Sequence, residues 1–159
     1  MISVKSVSGK DYLYQDGKRV AFVRSPNFHP GFAAGEPRFL VMHYTGGSTA
    51  QSSVDWFADP QSRVSAHVTV ERDGTIYQSV SFSDRAWHCG ASRWPARDGK
   101  VFSGLNDHAL GIELANAGAC RQTAAGTWRN GLGVQVGAGD IIRARHKSGA
   151  VHFEQGKWG

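Results

Sequence analysis

The sequence predicts a mixed α/β fold in which helices flank a central β-sheet. Three observations favour it: residues 39–43 form an apolar run of strand length, two Asp-Gly pairs separate apolar runs, and residues 48–58 carry a capping side chain ahead of helically spaced apolar residues. A chain of 159 residues, 40% hydrophobic and 19% charged, can bury a core without disulfides. We therefore expect one globular domain.

The N-terminal segment, residues 1–37, is expected to form a β-hairpin and a loop that pack on the same domain. Asp16-Gly17 lies between apolar runs at 12–14 and 20–23, which is the strongest short signal for a hairpin. Prolines and glycines recur from residue 25 to residue 37, as is typical of a surface loop.

The next elements are a strand, a loop and a helix. Residues 39–43 are apolar on both faces, which predicts a strand buried in the middle of the sheet. A capping residue, Ser48 or Thr49, can begin a helix that runs to about residue 58, where Asp59-Pro60 ends it.

Three further strands complete the predicted sheet. Residues 66–71 and 75–80 flank Arg72-Asp73-Gly74, which predicts a second hairpin with a primed turn, and residues 109–116 predict a short strand. Hairpins join antiparallel strands, so we expect a mainly antiparallel sheet.

Charge and apolar patterning narrow the classes of partner. The net charge of +5 favours anionic partners, but the basic residues are scattered, so nucleic acid binding is not expected. No stretch resembles a membrane span or a signal peptide, and we expect a cytoplasmic protein, or one released by lysis if it comes from a phage. The two cysteines, Cys89 and Cys120, are expected to stay free and reduced.

Two residues carry the clearest chemical signals. His43 ends the apolar strand before a glycine turn, where an imidazole is held rigidly beside open space; it is either a zinc ligand or a packing residue. Glu113 lies between two apolar residues of the last strand. It either faces solvent or sits in a cleft with a raised pKa, which would suit it to proton transfer.

Four segments occur in a characteristic order: LVMHYT (40–45), VSAHVTVERDGTIYQ (64–78), RAWHCGAS (85–92) and LGIELAN (110–116). Together they resemble the zinc-dependent N-acetylmuramoyl-L-alanine amidase family, the type 2 amidases, which includes the peptidoglycan recognition proteins. The resemblance covers roughly residues 38–118. It implies the fold of that family, a Zn²⁺ cofactor, and hydrolysis of the amide between N-acetylmuramic acid and L-alanine in peptidoglycan or muropeptides.

The resemblance also implies catalytic roles. His43 matches the first zinc ligand, and Glu113 matches the acidic residue that, in the anhydromuropeptide branch of the family, is proposed to act as general base on the zinc-bound water. Ala66 stands where the phage-lysozyme branch has a tyrosine, so the acid and base steps would fall on Glu113.

Three further residues match the wall of the family's cleft. His67, Trp87 and His88 are expected to bind substrate, contacting glycan or stem peptide rather than metal. Asn106 matches a polar residue ahead of the glutamate strand and is assigned no chemical role.

The sequence departs from the family after residue 118. Family members supply a second zinc-binding histidine, a lysine and a third ligand from a C-terminal segment that begins with the motif Gly-His-x-Asp-Ile. Residues 137–145 resemble that motif only faintly, and Ala138 occupies the position of its histidine. We interpret residues 117–159 as an insertion or connecting segment, with a short basic helix near residues 140–147, in an amidase-like domain (38–159) that is incomplete at its C-terminus. Either the chain is a fragment of a longer amidase, or the missing ligands come from His146, His152 or another chain.

Two functions therefore stay open. The first is a zinc amidase, and the alternative is a non-catalytic peptidoglycan-binding module or an inactive amidase fragment. The motifs specify neither the oligomeric state nor the choice between intact wall and anhydro-muropeptide.

Overall fold

The fold is taken from a computed structural model, which describes residues 1–145 and 151–156. The helices are α1 (Ala50–Ala58) and the 3₁₀ turns η1 (Leu105–Asp107) and η2 (Ala138–Asp140). The strands, in chain order, are β1 (Ile2–Val7), β2 (Lys10–Gln15), β3 (Lys18–Arg19), β4 (Ala21–Phe22), β5 (Phe28–His29), β6 (Phe39–Tyr44), β7 (Val68–Val70), β8 (Ile76–Gln78), β9 (Arg85–Ala86), β10 (Arg93–Pro95), β11 (Val101–Ser103), β12 (Ala109–Leu114), β13 (Ala119–Gln122), β14 (Trp128–Asn130), β15 (Gln135–Val136), β16 (Ile141–Arg145) and β17 (Val151–Gln155). None of the helices in this part of the chain has the length and apolar character needed to cross a bilayer.

The central sheet has five strands in the order β4-β8-β7-β12-β6. Only β7 and β8 pair antiparallel; β12 runs parallel to both β6 and β7, and β4 runs parallel to β8. The expectation of a mainly antiparallel sheet is therefore wrong. Parallel neighbours need a long crossover, and the chain between β6 and β12 supplies one that contains α1 and the β7-β8 hairpin.

Strand β6 lies at the end of this sheet rather than in its middle. Leu40, Met42 and Tyr44 are 57%, 52% and 62% exposed, while the alternate residues Val41 and His43 are partly buried. The prediction of a strand buried on both faces is thus wrong, because an apolar run does not reveal whether both faces are covered.

Helix α1 is confirmed as the sequence predicts it. The Thr49 side chain accepts a hydrogen bond from the Ser52 amide, a cap that stabilises a helix by about 1 kcal/mol. Val54 and Phe57 are buried on its inner face, and the Ala50 amide donates to the Glu71 carboxylate at 2.6 Å. The last contact fixes the start of α1 to the β7-β8 turn. In the described residues α1 is the one α-helix, so the mixed sheet is confirmed with less helical cover than expected.

Both predicted hairpins are present. Strands β1, β2 and β3 form an antiparallel meander, and Asp16 and Gly17 both have positive φ (50° and 79°), as a primed turn requires. In the β7-β8 turn only Gly74 has positive φ (89°), so the predicted primed turn is wrong there: Arg72 and Asp73 form an ordinary turn that Gly74 closes.

Residues 119–155 contribute a second sheet of five antiparallel strands, β15-β14-β13-β17-β16, to the described part of the chain. Ala117, Cys120 and Val136 form its small core. The predicted basic helix near residues 140–147 is wrong, because Ile141–Arg145 is strand β16; residues 146 and 147 lie outside the described residues. The boundary at residue 37 and the assignment of 117–159 as an insertion stay predictions.

Candidate metal centre

His43 and Glu113 face the same side of the central sheet. They are register partners in the parallel pair β6-β12, and Glu113 is in turn the partner of Thr69 on β7. Side chains of register partners project from the same face of a sheet. The row His43, Glu113, Thr69 therefore brings an imidazole beside a carboxyl group.

A loop after β9 adds two more donor side chains to this face. The Nδ1 atom of His88 lies 3.0 Å from the Nε2 atom of His43. The Sγ atom of Cys89 lies 3.0 Å from His88 Nδ1 and 3.9 Å from His43 Nε2. The three donor atoms all fall within 4.8 Å of one another, and no other such group of three occurs in the described residues. We call His43, His88 and Cys89 the donor cluster.

Asn106 fixes the backbone that carries two members of the donor cluster. Its Oδ1 atom accepts hydrogen bonds from the amides of both His88 and Cys89, at 3.0 and 2.8 Å. One residue earlier in the same loop, the Trp87 amide donates to the hydroxyl of Ser65. These contacts tie the loop to η1 on one side and to the chain ahead of β7 on the other.

The ring of His88 lies directly on the backbone of β12. A Cβ atom at Gly111 would come within 2.5 Å of the His88 ring, so this approach requires glycine. The Nε2 atom of His88 lies 3.3 Å from the carbonyl oxygen of Ala109. A carbonyl only accepts, so Nε2 carries the hydrogen and the lone pair of the neutral ring is on Nδ1, inside the donor cluster.

Burial sets the protonation of the centre. It lowers the pKa of His43, and it lowers the pKa of His88 to about 4, so both rings are neutral near pH 7 and keep the lone pairs that metal binding needs. Burial raises the pKa of Glu113 to about 7. Burial, together with the nearby charge of Glu113, raises the pKa of the Cys89 thiol to about 11.

Glu113 has an incomplete set of hydrogen bonds. Its Oε2 atom is buried and has no partner among the described residues, and the same is true of the Thr69 hydroxyl in the same row. A buried carboxyl oxygen without a partner destabilises a fold, so such a group in a native structure calls for an explanation, such as a catalytic role or a bound water or ion. A group bound at this face can supply the partner that Glu113 Oε2 lacks among the described residues.

A cleft of about 380 Å³ opens beside the centre, with Trp87, His88 and Glu113 in its wall. The cleft is also lined by the α1 residues Ser52, Ser53 and Trp56, and by Leu132. The Trp87 indole donates to His29 Nδ1 at 2.8 Å, which holds the ring in place. Hydroxyl groups, an indole ring and a titratable carboxyl thus converge on one opening, as is typical of a site for a polar organic ligand.

Comparison with known proteins assigns the family. The sequence model described as N-acetylmuramoyl-L-alanine amidase matches residues 33–135, which include the whole donor cluster and Glu113. The chain belongs to this amidase family. Amidase-family membership was inferred from the four sequence motifs and is confirmed.

Curated members of the amidase family are similar in sequence to part of this chain. It is 36% identical over 109 residues to the 1,6-anhydro-N-acetylmuramyl-L-alanine amidase AmpD of Haemophilus influenzae, covering 58% of this chain and 56% of that protein. It is 43% identical over 95 residues to AmpD of Escherichia coli, covering 49% of each. The chain thus spans about half the length of the curated relatives it matches. A crystal structure of a selenomethionine derivative of AmpD aligns with a TM-score of 0.47 and 32% identity over 60% of each chain.

One predicted site residue of the amidase domain lies in the interior. His67 is 0% exposed, its Nε2 atom bonds to the carbonyl oxygen of Asp84 at 2.9 Å, and its Nδ1 atom accepts from the Gly111 amide at 2.9 Å. Burial lowers the pKa of His67 to about 4. With both nitrogens engaged inside the protein, His67 joins β12 to the loop before β9 and is not part of the cleft wall, so we do not retain it as a substrate contact.

The other expected residues divide between cleft and cluster. Trp87 lies in the cleft wall, as its predicted role requires, whereas His88 both lines the cleft and belongs to the donor cluster. The sequence interpretation named Asn106 without a role and did not propose Cys89 as a metal donor. The signal for Cys89 was its position next to His88, which places two kinds of metal donor side by side. Of the alternative ligands, His152 pairs with Glu154 in the second sheet, and His146 lies outside the described residues. The cysteines carry free thiols, as expected.

Proposed function

We propose that this chain hydrolyses the amide between the lactyl group of N-acetylmuramic acid and L-alanine, in peptidoglycan or in muropeptides, as a zinc metallohydrolase. The observation that carries the proposal is the register of His43 and Glu113 on adjacent parallel strands, which puts a metal donor and a proton carrier on one face. Family membership supports the same reaction.

The residues present fit zinc. Imidazole nitrogen and thiolate sulfur are the ligands zinc takes most readily in proteins, and His43 has two such donors beside it. A zinc ion held there would lower the pKa of a coordinated water to about 7 and polarise the carbonyl of the amide.

The position of Glu113 beside His43 and its raised pKa support a role as general base. Its buried carboxyl group, with a pKa raised to about 7, exchanges a proton readily near neutral pH. It would take a proton from the attacking water and pass that proton to the departing alanine nitrogen. The unpaired Oε2 atom is free to accept that proton.

Residues of the cleft would hold the junction of sugar and peptide. Trp87 offers a flat apolar surface of the kind that packs on a sugar ring. The Ser52 and Ser53 hydroxyls donate to the Thr49 carbonyl, so their oxygens can accept from peptide N–H or sugar O–H groups. The net charge of +5 would favour approach to an anionic wall polymer.

The test is hydrolysis by the zinc-loaded chain of N-acetylmuramoyl-L-alanyl peptide and of its 1,6-anhydro form, followed by mass spectrometry of the released L-alanyl peptide. We expect release from at least one of them. Glu113→Gln should lower kcat/KM by about 10²- to 10⁴-fold, while Glu36→Gln, on an exposed loop, should leave it unchanged.

Each outcome has a defined meaning. No release from either compound by folded, zinc-loaded chain would refute the proposed reaction, and muropeptide binding without cleavage would support a non-catalytic binding module instead. A Glu113→Gln variant with the parental rate would remove Glu113 from the mechanism.

A further inference from the structure

We propose that the donor cluster is a complete three-ligand zinc site, in which His43 Nε2, His88 Nδ1 and Cys89 Sγ bind the metal and a fourth position stays open toward the cleft. The inference deepens the proposed function and rests on it for the choice of zinc. The cluster consists of residues from β6 and from the loop after β9.

The separations match a tetrahedral zinc site. With Zn–N near 2.0–2.1 Å and Zn–S near 2.3 Å, tetrahedral ligands lie about 3.3 Å apart for two nitrogens and about 3.6 Å apart for nitrogen and sulfur. The described separations are 3.0 Å between the nitrogens, and 3.0 and 3.9 Å from sulfur to nitrogen. Each differs from the ideal by no more than about 0.6 Å, which small side-chain rotations can absorb.

The cluster is held in place before any metal arrives. The hydrogen bond from His88 Nε2 to the Ala109 carbonyl leaves the Nδ1 lone pair for the metal, in the way that supporting groups orient metal-binding histidines. Asn106 fixes the backbone of both loop donors, and the absence of a side chain at Gly111 makes room for the His88 ring. Pre-organised donors lose little conformational entropy on binding, which strengthens metal affinity.

The chemistry of the donors favours zinc over harder cations. A thiolate with two imidazoles suits zinc, whereas magnesium, calcium and manganese prefer oxygen ligands. On binding, Cys89 gives up its thiol proton to solvent and forms a sulfur–metal bond. Three protein ligands with one open position are the arrangement of catalytic zinc sites, and Glu113 and His88 line the same cleft beside that position.

The decisive probe is Co²⁺ alone, added to the metal-free chain. Cobalt bound by a thiolate shows a near-ultraviolet charge-transfer absorption, so we expect this band in the parental chain and in Cys120→Ser, whose buried thiol lies in the second sheet. Cys89→Ser should lose the band. Zinc affinity is measured by competition with a chromophoric chelator. Loss of a residue that only supports a ligand lowers metal affinity by about 10- to 100-fold, and Cys89→Ser and His88→Ala should each lower it by more than that.

Zinc X-ray absorption of the parental chain provides a reading that needs no variant, and covers the case in which Cys89→Ser fails to fold. One sulfur and at least two nitrogen neighbours are expected, and a shell without sulfur would overturn the ligand set. Retention of the charge-transfer band in Cys89→Ser would overturn it as well. A chain that binds zinc through Cys89 but cuts no amide refutes the proposed function alone, whereas a chain that cuts the amide with no sulfur on its zinc refutes this inference alone.

Discussion

Replacing Asn106 by alanine tests how the donor cluster is supported. In the structure one side-chain oxygen accepts from two backbone amides, those of His88 and Cys89, at 3.0 and 2.8 Å. Each such bond contributes about 0.5–1.5 kcal/mol, and a partly buried amide left unpaired costs about 1–3 kcal/mol. We therefore expect Asn106→Ala to lower the free energy of unfolding of the metal-free chain by about 2–4 kcal/mol.

The same change should weaken metal binding, because the loop would no longer hold His88 and Cys89 together. Loss of such a supporting residue typically lowers metal affinity about 10- to 100-fold. Urea unfolding of the metal-free chain and zinc competition measure the two effects, and Asn106→Asp is the matched control, since it keeps an oxygen acceptor. If Asn106→Ala has the same free energy of unfolding and the same zinc affinity as the parental chain, the role given to this residue is wrong.

Three other perturbations have defined outcomes. Gly111→Ala should lower the free energy of unfolding by about 1–3 kcal/mol and weaken zinc binding, because the added Cβ atom would overlap the His88 ring. Gly139→Ala is the control, since a Cβ atom there meets no atom within 4 Å. Equal effects of the two substitutions would contradict the packing argument. His67 has a pKa of about 4 in the folded chain and an ordinary value of 6.5. As the pH falls from 6.5 to 4, the unfolded chain therefore binds a proton at this residue and the folded chain does not. The free energy of unfolding should drop over this range by up to about 3 kcal/mol per such group. Urea unfolding of the metal-free chain against pH should show a smaller drop in His67→Gln, and an unchanged drop would exclude His67 as a source. Trp87→Ala should raise KM roughly tenfold, or about 1.4 kcal/mol, with little change in kcat, while Trp87→Phe keeps most of the affinity; a fall in kcat alone would argue against a substrate-holding role.

Local signals in the sequence predicted the local elements. Thr49 caps α1, Asp59 follows its last residue, and the Asp16-Gly17 turn joins two strands, because each of these choices depends on residues close in the chain. The order and direction of the strands depend on distant partners instead. Strand β12 pairs in parallel with β6 across more than sixty residues, and no local pattern encodes that pairing.

The site divides in the same way. Motif resemblance singled out His43 and Glu113, and the register of their strands brings them together on one face. The motif resemblance assigned His67 to the cleft, because a strand pattern does not distinguish a histidine that faces a cleft from a buried one that bonds to the backbone. The role of Asn106 could not be predicted, since its two bonds reach backbone amides 17 and 18 residues away. The second sheet was missed because its strands are only two to five residues long and lie among glycines.

The most direct test of the central claim is a crystal structure of the zinc-loaded chain with anomalous diffraction measured at the zinc edge. The account predicts one anomalous peak about 2.0–2.1 Å from His43 Nε2, on the face of the central sheet that carries Glu113, with the Glu113 carboxyl group turned toward it. A peak remote from His43, or a Glu113 side chain on the opposite face of the sheet, would contradict the account.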